Sequence, residues 1–138
     1  MTAKKYFGHC LCKKVGYSIA GEVRNLCYCH CESCRRAAGS VSVAWGTVDY
    51  SHFRITKGQL ATVNSSQGVE RGFCGDCGSA LTYRHQLRSN EIDFTLATLE
   101  QPSAMAPQSH IWVQDKLPWV KIADGLPQYQ TVAQFADS

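Results

Sequence analysis

The chain has 138 residues, 44% of them hydrophobic and 18% charged, with a formal charge of +3. Such a length predicts one domain over residues 1–138, and the apolar content suffices for a core, which excludes wholesale disorder. The charge is too small to point to nucleic acid, no apolar run approaches the ~20 residues of a membrane span, and Lys4 and Lys5 have no apolar stretch behind them, so no secretory signal is expected and the cytoplasm is the expected compartment.

Short strands follow one another along the chain. Lys5–Gly8 reads as a strand ending at a first cysteine pair. Val15, Tyr17 and Ile19 alternate with Gly16, Ser18 and Ala20, the pattern of a half-buried strand. Glu22–Cys27 leads into a second cysteine group. Glu32–Ala38 is the one predicted helix, with Gly39 ending it. Val41, Val43 and Trp45 alternate again, as do Phe53 and Ile55 before a turn at Lys57-Gly58. Leu60–Val63 and Val69–Phe73 are further strands, the second running into the last cysteine pair. Leu81 and Tyr83 share one face of the next strand. Ile92, Phe94, Leu96 and Thr98 form the cleanest two-residue period, and Ile111–Val113 and Trp119–Ile122 close the series. Many short strands with little helix predict a mainly β, antiparallel fold.

Eight cysteines stand at 10, 12, 27, 29, 31, 34, 74 and 77. The Cys-x-Cys spacings are too close for an easy disulfide, which needs Cα atoms ~4.4–6.8 Å apart with facing Cβ vectors. Spacing and compartment together favour metal over a disulfide scaffold. Cys74-Gly-Asp-Cys77-Gly is a zinc knuckle, in which the turn points both sulfurs inward and glycine permits the tight backbone beyond. Cys10 and Cys12 are the natural partners, and four thiolates make a closed structural site. A redox reading of Cys74 and Cys77 would want a βαβ context, which is missing.

Cys29, Cys31 and Cys34 sit within six residues, on a loop entering the predicted helix. Three sulfurs on one zinc leave a fourth position that is either open, as in catalytic sites, or closed by Cys27 or His30. On a strand Cys27 shares the face of Cys29, whereas His30 alternates away. Seven ligand thiolates (−7), two zinc ions (+4) and the formal charge of +3 sum to about zero, so the basic excess compensates the metal centres. Three Trp and six Tyr read as core and rim rather than as a base-stacking platform.

These motifs resemble one family. The order Cys10-x-Cys12, Cys29-His-Cys31-x-x-Cys34-Arg-Arg-x-x-Gly39 and Arg71-x-Phe73-Cys74-x-x-Cys77-Gly-Ser is similar to that of the glutathione-dependent formaldehyde-activating enzymes. So are Phe53-Arg-Ile-x-Lys-Gly58, His110-Ile-Trp112, Lys116-x-Pro-Trp119 and Gly125-Leu-Pro-x-Tyr129. The likeness covers roughly residues 5–130. It implies a β-tent fold of two antiparallel sheets meeting near a structural zinc on Cys10, Cys12, Cys74 and Cys77. It implies a catalytic zinc on Cys29, Cys31 and Cys34, and a carbon–sulfur lyase activity run toward synthesis, joining glutathione and formaldehyde. Cys27 is an addition to the family's pattern.

The chemistry of the residues agrees with that expectation. A zinc with an open position keeps a substrate thiol ionised beside a small aldehyde, or polarises the carbonyl. Arg35 and Arg36 are candidates for holding a carboxylate of a glutathione-like ligand. His30, His85 and His110 are candidate acids or bases. The contrasting reading is a non-catalytic zinc module that binds a protein partner. A third is a thiol-based redox or metal-trafficking protein using Cys27.

Overall fold

A computed structural model describes residues 4–133. In chain order the strands are β1 (Lys5–His9), β2 (Gly16–Ala20), β3 (Arg24–Cys29), β4 (Val43–Asp49), β5 (Phe53–Lys57), β6 (Ala61–Ser66), β7 (Val69–Phe73), β8 (Ala80–His85), β9 (Glu91–Thr95) and β10 (Ser109–Ile111). The one α-helix among the described residues is α1 (Glu32–Ala38). Strands β1, β2 and β5 form a three-stranded sheet with β2 central, and the others form a seven-stranded sheet in the order β10-β3-β4-β9-β8-β7-β6. The fold is therefore mainly β with two sheets, as the sequence predicted. No helix among the described residues is long and apolar enough to cross a membrane.

The two sheets bury a shared core. Tyr17 and Ile19 of β2 meet Val48, Leu81, Ile92 and Phe94 of the large sheet, all at most 3% exposed. The Tyr17 ring stacks on Phe53 at 5.4 Å and tilts against Phe94 at 6.2 Å. Its hydroxyl is 2.7 Å from Thr98 Oγ1, so the one polar atom of this aromatic cluster is satisfied. Each such buried side chain contributes ~1.5–3 kcal/mol.

The register of the large sheet builds its other face. Arg24 pairs with Thr47, Thr47 with Asp93, Asp93 with Tyr83, Tyr83 with Arg71, and Arg71 with Val63. Directly paired residues point to the same side of a sheet. A single transverse row thus crosses six strands, from β3 to β6. A neighbouring row holds Cys27, Trp45 and Thr95. Arg24 and Cys27 are three residues apart, an odd spacing that places residues on opposite faces of a regular strand. A bulge between them, with Asn25 in the left-handed region (φ 54°), inserts the extra residue that brings both to one face. Asparagine tolerates that conformation better than most side chains.

Five local expectations change in three dimensions. Leu81 and Tyr83 do not share a face, because a bulge in the β7–β8 pairing leaves Leu81 in the core and Tyr83 on the opposite side. The predicted half-buried β2 has both faces covered from Gly16 to Ile19, because it is the middle strand and its alternate positions, Gly16 and Ser18, are small enough to lie beneath neighbouring chains. The two-residue period of β9 stops at Thr95, and Leu96–Thr98 is a short 3-10 turn that delivers Thr98 to Tyr17. Trp119–Ile122 is not a strand. Pro118 sits inside a turn closed by Val120 N–H donating to Leu117 O (3.0 Å), and Trp119 is 69% exposed. The chain beyond it runs along β10 instead, with His110 N–H donating to Pro127 O and Tyr129 N–H to His110 O, both at 2.9 Å. Finally, the large sheet is not wholly antiparallel, since β10 pairs with β3 in parallel.

Gly8 shows how closely the sheets meet. A Cβ at this position would run into the Tyr17 ring, which is 1% exposed and tethered through its hydroxyl. Gly8→Ala is expected to destabilise by about 2–3 kcal/mol, as overpacking does, lowering the melting temperature by roughly 10 °C. Gly75→Ala, whose Cβ would make only an ordinary 3.6 Å contact with Ala61, is the control. Thermal melts followed by circular dichroism should separate the two variants.

Candidate metal centres and active site

The fold brings Cys10 and Cys12, on the β1–β2 turn, against Cys74 and Cys77, on the β7–β8 turn. Their four sulfurs lie within 4.8 Å of one another. The separations Cys10 Sγ–Cys12 Sγ and Cys12 Sγ–Cys74 Sγ are 3.6 and 3.7 Å. Sulfurs at the corners of a tetrahedron with Zn–S bonds of ~2.3 Å stand ~3.8 Å apart, so this donor set fits a zinc ion. Backbone amides supply the usual support for thiolates: Val15 N–H donates to Cys10 Sγ (3.3 Å) and Cys77 N–H to Cys74 Sγ (3.4 Å). Ser79 joins the two turns, accepting from Leu11 N–H at 2.9 Å and lying 3.2 Å from Cys77 Sγ. That serine contact, followed by backbone donors, pulls the Cys77 thiol down to about 5. Gly78 takes a φ of 82° behind the second turn, as the knuckle requires.

Cys29, Cys31 and Cys34 also gather their sulfurs within 4.8 Å. Cys29 ends β3, and Cys31 is the N-cap of α1, its sulfur accepting from Cys34 N–H at 3.3 Å. At the other end Gly39 adopts φ 62° and its N–H closes on Arg35 O. A seven-residue helix thus spans only the distance needed to turn Cys34 back toward Cys31. The thiols of Cys29 and Cys34 donate to Cys31, which holds its sulfur well below the ordinary thiol range, and the Arg71 guanidinium adds to this. The same donation pushes the Cys29 thiol up. Both terminal nitrogens of Arg71 lie 3.8 Å from Cys34 Sγ, and its Nε donates to Ser65 Oγ at 2.9 Å. This donor set suits zinc as well, with three sulfurs rather than four.

The three-cysteine cluster borders a cavity of about 790 Å³. Its floor is the transverse row of the large sheet: Thr47, Asp93, Tyr83 and Arg71, with Trp45 and Cys27 from the adjoining row. Asp93 accepts from Thr47 Oγ1 (2.7 Å) and from Arg88 (3.1 Å). Burial pushes its carboxyl up, against the pull of Arg88. Arg88 also pairs with Glu91, and Glu91 with Arg24, so Asp93 and Arg88 belong to a chain of alternating charges that runs away from the cavity. Trp112 borders the cavity with its backbone in the left-handed region at φ 56°, a conformation that costs ~1–2 kcal/mol for a bulky residue and is held by its N–H bond to Thr131 O.

Cys27 lies on the cavity wall but outside the three-sulfur group, and burial, then the Asp93 charge, pushes its thiol up to about 12. His30 is turned away from its neighbours. Its Nε2 is 2.9 Å from His110 Nδ1, and His110 Nε2 is 2.7 Å from Asp124 Oδ2. His30 Nδ1 is buried and has no partner. This line, with the Tyr28 ring stacked on His110 at 4.7 Å, anchors the ligand loop from behind. His85 does border the cavity.

Arg35 and Arg36 fall elsewhere. Arg36 is exposed and pairs with Glu32 at 3.5 Å, and Arg35 does not line the cavity. The arginines that do are Arg71 and Arg88. Arg71 had a sequence signal, three residues before a ligand. Arg88, Asp93, Thr47 and Trp45 had none, because their convergence depends on pairing between distant strands.

Known proteins agree with this architecture. An uncharacterized lyase of Schizosaccharomyces pombe is 30% identical over 88 residues, which span 59% of this chain and 58% of the relative's length. A crystal structure of a Rhodobacter sphaeroides protein shares the fold with a TM-score of 0.58 at 19% identity, covering 89% of this chain and 98% of that one. The family model for the glutathione-dependent formaldehyde-activating enzyme matches residues 5–115. With both cysteine clusters assembled and most of the chain covered by that match, the protein belongs to the glutathione-dependent formaldehyde-activating enzyme family.

Proposed function

We propose that the protein is a zinc-dependent carbon–sulfur lyase-like enzyme that joins glutathione or a related thiol to formaldehyde or another small aldehyde as an S-hydroxymethyl-type adduct. One observation carries this reading: a three-sulfur cluster opens on a cavity that carries Arg88, Asp93, His85 and Glu32, while a separate four-sulfur cluster is complete in itself. Cys10, Cys12, Cys74 and Cys77 would hold a structural zinc, and Cys29, Cys31 and Cys34 a catalytic one. The second ion would supply a Lewis-acid centre at which a thiol stays ionised at neutral pH. A reducing compartment such as the cytoplasm keeps seven such sulfurs available as ligands.

The chain's own groups do the rest. Arg71 and the Cys34 amide offset the negative charge of the sulfurs they touch. Trp45, Tyr83 and Trp112 wall the cavity and exclude water. Arg88 presents a cation to a carboxylate of the thiol substrate, taking over the role that Arg35 and Arg36 have on sequence grounds. Asp93, whose carboxyl is shifted toward the protonated form, stands in the cavity to exchange the proton that leaves the thiol and reaches the carbonyl oxygen.

Two expected outcomes follow from this division. Cys74→Ser opens the four-sulfur site, whose metal-binding energy is folding energy, and should leave the protein largely unfolded. Cys31→Ser should lose one zinc equivalent and all activity while keeping a folded domain with a modest melting shift. Elemental analysis and circular dichroism on the two variants decide it: equal unfolding of both would refute separate structural and catalytic centres.

Calorimetric titration of the zinc-loaded protein tests the thiol. Glutathione should bind ten- to a hundredfold more tightly than β-mercaptoethanol, because a charge-assisted contact to a carboxylate contributes ~1.5–3 kcal/mol. Arg88→Ala should remove most of that advantage, and Arg36→Ala should change it less than twofold. Equal affinity for both thiols would remove glutathione as the co-substrate. Binding of neither would favour the non-catalytic module that docks a protein partner.

A further inference from the structure

The three-cysteine cluster borders two hollows. Beside the larger cavity, a second hollow of about 640 Å³ lies between α1 and the strands β6, β7 and β8. Ser33, Cys34, Trp45 and Arg71 line both, so a group held at the cysteines touches each space. Both expose mostly apolar surface, and they differ in the charged groups they present. The first carries Arg88, Asp93, His85 and Glu32. The second is walled by Ala37, Val43, Val63, Phe73 and Ala80, with Ser65, Arg36 and Thr82 its polar members beyond the shared wall.

Formaldehyde has two heavy atoms and needs no space of that size, and a zwitterionic thiol matches the first hollow rather than the second. We propose that the apolar hollow receives an alkyl or aryl substituent on the carbonyl carbon, so that the aldehyde partner is larger than formaldehyde. This rests on the thiol–aldehyde reading above. The bookkeeping of the step is unchanged by the substituent. The sulfur lone pair forms the C–S bond, the C=O π pair moves to oxygen, and that oxygen takes the proton given up by the thiol. The product, R–CH(OH)–S–R′, is reached without oxidant or reductant. Its two substituents diverge from one carbon–sulfur unit, as the two hollows diverge from the wall shared by Cys34 and Arg71.

Two unreactive thioethers test this on the zinc-loaded protein. S-Methylglutathione and S-hexylglutathione place the same peptide in the larger cavity but differ by five methylenes. Each methylene removed from water contributes about fourfold in affinity, so a half-open hollow that shields two of them gives roughly tenfold or more. Calorimetry should show S-hexylglutathione binding at least ten times more tightly. Ala37→Glu and Val63→Glu put a charge into the apolar hollow from exposed positions, where folding is insensitive to it (Val63 is 51% exposed). Each should cut the hexyl advantage below threefold while leaving S-methylglutathione within twofold. Equal binding of the two thioethers by the unaltered protein, or a hexyl advantage untouched by both variants, overturns this inference and leaves the thiol reading standing. Failure of both thioethers to bind where glutathione itself binds overturns this inference alone, and failure of glutathione as well overturns the thiol reading with it.

Discussion

The closure of Cys10 and Cys12 on Cys74 and Cys77 is the constraint on which the rest of the structure depends. Cys12 and Cys74 are 62 residues apart, and their sulfurs stand 3.7 Å from each other. A zinc ion on these four sulfurs, as proposed above, would link two turns this distant in the chain and remove much of the freedom of the unfolded state. The closure also fixes the three-stranded sheet over one end of the seven-stranded sheet. With that corner tied, β2 presents Tyr17 and Ile19 to Phe94, Leu81 and Val48, and the core closes beneath it. The absence of a Cβ at Gly8 is part of the same fit, because the Tyr17 ring occupies that space.

A sheet covered on one face leaves the other free for chemistry, and the register decides what appears there. The row Thr47–Asp93–Tyr83–Arg71 lies on the side away from Tyr17 and forms the floor beneath the second cysteine cluster. The bulge at Asn25 matters here. Without its extra residue Arg24 would point to the opposite face from Cys27, and the charge chain Asp49–Arg24–Glu91–Arg88–Asp93 would lack its link. Asp49 and the two arginines are partly exposed, so these pairs contribute modestly to stability. Its effect on the site is to hold Asp93 and Arg88 in place.

The two cysteine clusters differ in kind because of what surrounds them. The four-sulfur set is closed by two facing turns and bound together through Ser79. The three-sulfur set is built on a strand end and one helical turn, and its surroundings are aromatic walls, an arginine on Cys34 and two hollows. The histidine between its first two cysteines is used for anchorage: His30 and His110, aligned by Asp124, join the loop of Cys29 and Cys31 to β10 and to the segment that follows it.

Local physics made several features legible in the sequence alone. The two-residue period of β2 and β9, the helix stopped at Gly39 and the tight spacing within each cysteine group depend on neighbours a few residues apart, and the motifs they compose carried the family resemblance, which joined Cys10 and Cys12 to the distant Cys74 and Cys77. Tertiary structure decided what depends on distant partners. Cys27 and His30 were both candidates for a fourth ligand. Cys27 lies outside the sulfur group on the cavity lining, and His30 is turned to His110 instead. Arg35 and Arg36 adjoin a ligand in sequence yet do not line the larger cavity, because a helix turns successive residues to different sides. Arg88 and Asp93 reach it from strand β9 and the turn before it, through pairings with β4 and β8 that no local pattern encodes. Trp119–Ile122 had the composition of a strand, but Pro118 made it a turn, and the edge of β10 was covered by residues 127–131 instead. Strand partners and register are non-local quantities, fixed only when the whole chain packs, and for this protein they determine the chemistry of the cavity.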